Sequence, residues 1–131
     1  MIASQLKIIE QGISYLEPVS KADYTAIISP NSISSTGSHM RHIIDHYQAI
    51  ISGLNKELID YNVRSRGSQF ELLPRLAIGK LNEITEWIEQ LTEDKLNTLI
   101  TLATEVSISK QNIQHVQTSV ARELVFASSH A

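Results

Sequence analysis

"TGSHMRHIIDHYQAI", residues 36–50, decides how this chain is read. It carries three of the five histidines, at positions 39, 42 and 46, interleaved with Met40, Ile43, Ile44, Tyr47 and Ile50. Apolar residues three and four apart mark an amphipathic helix. "GSHM" also spells the remnant of a common purification tag. Such remnants sit at a chain end behind a polyhistidine run. Here the letters follow "SPNSISS" and lead into a patterned segment, so they belong to the fold. The helix is predicted to start between Ser35 and Ser38 and to reach about Tyr61, with Gly53 weakening its middle. At 100° per residue, His39, His42 and His46 fall within about 60° of one another. Ile43, Tyr47, Ile50 and Leu54 occupy the adjoining arc, which should face the core, while Asp45 points elsewhere.

Working outward, Ile2, Leu6, Ile9, Ile13 and Leu16 form a helical stripe that Pro18 ends. "SKADYTAIISPNSISST" is a turn-rich connection with room for one helical turn. Downstream, "NVRSRGS" breaks the histidine helix. Ser68 with Glu71 fits a capping box for a third helix, and Pro74 implies a kink or restart just inside it. Leu73, Ala77, Leu81, Ile84, Ile88 and Leu91 then make a nearly heptad stripe, with Trp87 on its flank. "TEDKL" is a turn or short helix. "TLITLATEVSI" and "NIQHVQTSV" are β-branched-rich and flank polar "SKQN", the pattern of a hairpin. A last helix starts near Ser119 and reads "VARELVFASSHA".

The expected architecture is therefore mainly all-α, one domain over residues 1–131, with a small β-hairpin between the third and last helices. The histidine helix would be roughly 35 Å long and the last only about 20 Å. Bundles bury their stripes by running helices of similar length together. The expectation is a last helix that is incomplete at Ala131, or a second chain covering the exposed stripe.

Composition narrows the function classes. Of the 131 residues 42% are hydrophobic and 19% charged, as in globular rather than disordered chains. A net charge of −3 and a pI near 5.9 lack the basic footprint of a nucleic-acid binder. No apolar run approaches the ~20 residues that span a bilayer, and the first residues lack a secretion signal. A cytoplasmic location is the simplest expectation. With no cysteine, any metal must be held by His, Asp or Glu. No Gly-x-Ser-x-Gly elbow, phosphate loop or dinucleotide fingerprint occurs.

Imidazole suits zinc, nickel, iron or copper, and an i, i+4 pair such as His42 and His46 can chelate one ion from a single helix. The bland alternative is a set of boundary histidines bonded to water or backbone. On the last helix His130 shares a face with Glu123 and Phe126, a face expected to be interior. Glu123 lies roughly 10 Å from His130 along the axis. It is read as pairing with Arg122 or Arg41, or as orienting another histidine from behind. His115, in the hairpin, is expected at the surface.

"SSTGSHMRHIIDHYQAI" and "SVARELVFASSHA", in this order of elements, resemble the DinB/YfiT-like superfamily of bacterial metal-dependent proteins, over essentially the whole chain. The resemblance implies an up-and-down four-helix bundle holding a divalent metal through three histidines. One comes from the second helix and two, at H-x-x-x-H spacing, from the last. By position His42 matches the first and His130 the second, while the third would fall four residues past His130, beyond Ala131. His46 and His39 are the substitute ligands. Zinc or nickel leads as the ion, with iron or manganese next, and an incomplete site would hold it weakly or not at all. The resemblance further implies a metal-dependent transferase acting with a low-molecular-weight thiol, or a hydrolase. Arg64 and Arg66 are read first as an exposed basic loop, and second as a place for an anionic substrate group. The competing expectation is a non-enzymatic homodimeric scaffold whose apolar helix edges meet across the interface.

Overall fold

The computed structural model describes residues 1–27, 35–62, 68–105 and 113–129. Among these the chain is mainly helical, with a small three-stranded sheet. Helix α1 (Ile2–Leu16) ends just before Pro18, as its stripe predicts. The turn-rich connection holds one short helix, α2 (Lys21–Thr25), capped by Ser20. Helix α3 (Thr36–Lys56) carries the histidines. It starts in a reciprocal box: Ser35 Oγ accepts the Ser38 N–H at 3.1 Å, and Ser38 Oγ accepts the Ser35 N–H at 3.0 Å. Two donors that a helix start leaves orphaned are thereby satisfied.

The far end of α3 departs from expectation. The helix stops at Lys56 rather than Tyr61, because Glu57 takes the left-handed conformation (φ 57°) and turns the chain into strand β1 (Leu58–Asp60). A non-glycine residue there costs about 1–2 kcal/mol. Gly53 makes the reversal possible. A Cβ at this position would lie 2.7 Å from Ile59 Cγ1 and 2.8 Å from Leu58 O, so only glycine lets the strand fold back against its own helix.

The third helix is split as Pro74 suggests, into α4 (Gln69–Leu72) and α5 (Pro74–Glu89), with Leu73 extended between them and Pro74 in the first turn. The capping box expected at its start does not form. Ser68 makes no side-chain cap bond, and Glu71 approaches Arg41 Nε at 3.9 Å instead. "TEDKL" yields the short helix α6 (Glu93–Leu96). The two strands expected of the hairpin are present as β2 (Leu99–Glu105) and β3 (Ile113–Ser119), antiparallel, with Leu102 opposite Val116, while the polar turn "SKQN" lies outside the described residues. Strand β1 adds to it in parallel, Leu58 beside Thr101, giving the order β1-β2-β3. Helix α7 (Val120–Ser128) follows directly, with Ser119 accepting the Arg122 N–H as its cap.

One contiguous apolar cluster holds these elements together. The α1 stripe brings Ile9 and Leu16, α3 brings Ile43, Ile44, Tyr47 and Ile50, α5 brings Ala77, Leu81, Ile84 and Ile88, and α7 brings Leu124 and Ala127. Removing this surface from water is the main source of stability, at about 25 cal/mol per Å² of apolar area. A polar chain crosses the cluster: Tyr47 OH donates to Gln5 Oε1 at 3.0 Å, and Gln5 Nε2 donates to Ser128 Oγ at 3.2 Å. It ties α3, α1 and α7 through buried groups that would otherwise be unsatisfied. Among the described residues, no helix is long and apolar enough to cross a membrane.

Candidate metal centre

The i, i+4 spacing on α3 brings two histidines together. His42 Nε2 and His46 Nε2 lie 3.2 Å apart, with the rings edge to face at 4.4 Å between centroids. Two protonated nitrogens would repel at that distance, so one ring N–H donates and the other nitrogen accepts. The same geometry suits a shared ion. Two imidazole nitrogens each about 2.0–2.1 Å from a tetrahedral metal stand roughly 3.3 Å apart. The separation of the pair is close to that spacing. No cluster of three His, Cys, Asp or Glu able to hold a metal occurs among the described residues.

His46 is 7% exposed and boxed in by aromatic edges. Its ring centroid lies 4.8 Å from Tyr61 and 5.5 Å from Phe126, and Tyr61 and Phe126 are themselves 5.6 Å apart. Phe126 is only partly covered, at 44% exposure, although its face of α7 was expected to be interior.

Glu123 is the buried charge of this region, 5% exposed. It pairs with neither arginine proposed for it. Tyr61 OH donates to Glu123 Oε1, and Thr118 Oγ1 donates to Glu123 Oε2, both at 2.7 Å. Arg41 is engaged with Glu71, and Arg122 is exposed. Two short hydroxyl bonds to an ionised acceptor are the strong kind, and they compensate for taking a carboxylate out of water. Burial, the hydrogen bond to Glu123 and that carboxylate's charge all raise the Tyr61 pKa far above the usual tyrosine value. Tyr61 is thus held as a neutral phenol and acts as a donor.

A cleft of about 530 Å³ opens beside this cluster, lined by Tyr61, Asn62, Leu102, Ala103, Arg122, Glu123 and Phe126. Its size is that of small-molecule sites. Three segments build it: the turn after β1, the middle of β2 and the first turns of α7.

The other candidate residues fall elsewhere. His39 is exposed and lines a separate cavity between α1 and α3. His115 is exposed on β3, as expected. Asp45 faces a third cleft, with Lys56 and Asp60. His130, Arg64 and Arg66 lie outside the described residues. Sequence reasoning missed Tyr61 and Thr118. The one available signal was Thr118 directly before the Ser119 cap, in strand register to reach back over the first turn of α7. Comparison with protein-family models, with curated proteins and with solved structures returned no match to this chain.

Proposed function

We propose that the protein binds a divalent metal through His42, with His46 beside it, and uses it in transfer or hydrolysis on a small molecule held in the adjoining cleft. The reading takes α1, α3, α5 and α7 as the four rods of a DinB-like up-and-down bundle. One observation carries it: two imidazole nitrogens 3.2 Å apart, next to a cleft of about 530 Å³ that contains a buried, hydroxyl-bonded carboxylate. Zinc or nickel suits imidazole best, with iron and manganese as alternatives. When bound, such an ion lowers the pKa of a coordinated water or thiol and supplies a nucleophile near neutral pH. The chain's own groups do the rest. Tyr61 and Phe126 pack against the flanks of His46 and fix its ring. Glu123 holds Tyr61 in place through a 2.7 Å bond. Leu102 and Ala103 give the cleft an apolar wall, and Asn62 and Arg122 give it a polar one.

The test is metal titration by calorimetry, with elemental analysis of purified protein. One of zinc, nickel, iron or manganese should bind at one ion per chain and raise the melting temperature. His42→Ala should weaken binding by at least the roughly tenfold that even an outer-shell change costs. No bound metal, together with a melting temperature indifferent to added ion and to chelator, overturns the reading.

A homodimeric scaffold is the second reading, supported by Leu99, Val116 and Val125, which are 63%, 44% and 56% exposed. Apolar surface of that kind marks interaction sites when it is contiguous. Sedimentation at micromolar concentration should then give twice the chain mass, and a monomer removes the reading.

A further inference from the structure

A second recess, with a more apolar lining, is formed by residues of α1, α3 and α5. We propose that the cavity of about 490 Å³ between α1 and α3 is a binding site for a small apolar molecule bearing one hydrogen-bond-accepting head group. Its floor is recessed and buried: Ile9, Met40, Ile43, Tyr47 and Leu81 are all among the core residues. A concave floor of this kind suits a small molecule better than a flat protein face. An apolar cavity of about 150 Å³ accommodates benzene, so this one has space for a body on the order of 15 non-hydrogen atoms. Its lining has no acidic side chain, while Gln11 and His39 bring polar groups that are solvent-exposed.

Gly12 supplies an independent observation. It sits inside α1 and lines the cavity. Its place is not imposed by crowding, since a Cβ there would meet only Leu81 Cδ1, at an ordinary 3.8 Å. Glycine is among the least favourable residues inside a helix. The chain thus forgoes helix stability at a point where the result is open volume. The recess is open to solvent on one side, and its buried apolar floor is the surface an occupant would cover. His39, set apart from its two neighbours by exposure, is the group placed to meet the head.

The probes are 2-naphthol, which has such a head, and 2-methylnaphthalene, which does not, titrated against the full chain and followed by amide shifts in two-dimensional NMR. Saturable shifts confined to Ile9, Gly12, Met40 and Ile43 are expected for both, with 2-naphthol binding tighter. Gly12→Leu should fill the recess, raise the melting temperature by about 4 °C or more, and weaken both probes at least about tenfold. His39→Ala, at an exposed position, should reduce 2-naphthol to the affinity of 2-methylnaphthalene and leave the latter unchanged. Failure of both probes to saturate overturns the proposal, as does undiminished binding by a folded Gly12→Leu. Shifts at these residues that follow protein concentration without probe would assign the recess to a second copy and overturn it equally. None of these outcomes depends on whether His42 binds metal.

Discussion

Tyr61→Phe isolates one hydroxyl in the Glu123 cluster. The ring that packs against His46 and Phe126 is retained, and only the 2.7 Å bond to Glu123 Oε1 is lost. A hydrogen bond to a charged acceptor contributes about 1.5–3 kcal/mol, against about 1 kcal/mol for a neutral one. Glu123 is buried, so solvent does not replace the lost donor cheaply. The expected loss is ~2 kcal/mol, a large share of the ~5–15 kcal/mol by which such domains are stable. In urea unfolding, with m on the order of 2 kcal/mol/M, the midpoint should drop by roughly 1 M at unchanged m. The same change in a Glu123→Gln background should cost about 1 kcal/mol or less, because the acceptor is then neutral. Equal losses in the two backgrounds, or a midpoint shift under about 0.3 M, would show that the carboxylate is not what Tyr61 serves.

Thr118→Val, which removes the second 2.7 Å bond to Glu123, should likewise cost about 1.5–3 kcal/mol in the same urea assay. Gly53→Ala should destabilise by about 1–3 kcal/mol despite alanine's better helix propensity, since the added carbon meets Leu58 O and Ile59. Gly79→Ala, where a Cβ meets nothing within 4 Å, should stabilise by up to about 1 kcal/mol in the same helical context. Thermal melts of the pair should move in opposite directions, and a shared direction would contradict the close approach of α3 and β1. Stability should also fall in alkali. Burial pushes Tyr24 and Tyr47 up to about 12 and Tyr61 higher still, against an unfolded value of 10.0. The neutral forms are the folded ones, so their contribution is complete below pH 10 and is lost as pH rises from 10 through 12. Absorbance at 295 nm should show these phenols ionising together with unfolding. Tyr15 is exposed and reports separately, so ionisation of all four phenols near pH 10 in a chain that stays folded would contradict the burial of the other three.

The helices were legible where the signal is local. The stripes on α1, α3 and α5 repeat every three to four residues, and Ile9, Ile43, Tyr47, Ile84 and Ile88 are buried accordingly. Pro74 marked the restart of α5 for a steric reason that holds in any context. Strand β1 was not legible. Its three residues, "LID", continue the apolar pattern of α3, and the partner that makes them a strand lies far along the chain in β2. The terminus of α3 was missed because Glu57 adopts a conformation usually signalled by glycine or asparagine. Ser68 and Glu71 matched a capping box by spacing, yet the charge on Arg41 offered Glu71 another partner. The candidate site divides the same way. The His42–His46 pair follows from helical geometry alone, and the burial of Glu123 from its stripe. Its partners could not be read, since Tyr61 and Thr118 come from a turn and a strand whose places are fixed only by tertiary packing.

The parallel pairing of β1 with β2 governs the order in which the molecule can assemble. Leu58 and Thr101 pair across the stretch of chain that carries α4, α5 and α6. Distant pairings of this kind cost closure entropy before any contact returns it, and they form late. Tyr61 follows β1 directly and so reaches Glu123 with it. A refolding chain stopped short of that docking would hold its helices and its strand pair and lack the Tyr61–Glu123 bond, which makes the sheet a timer for that cluster as much as a support.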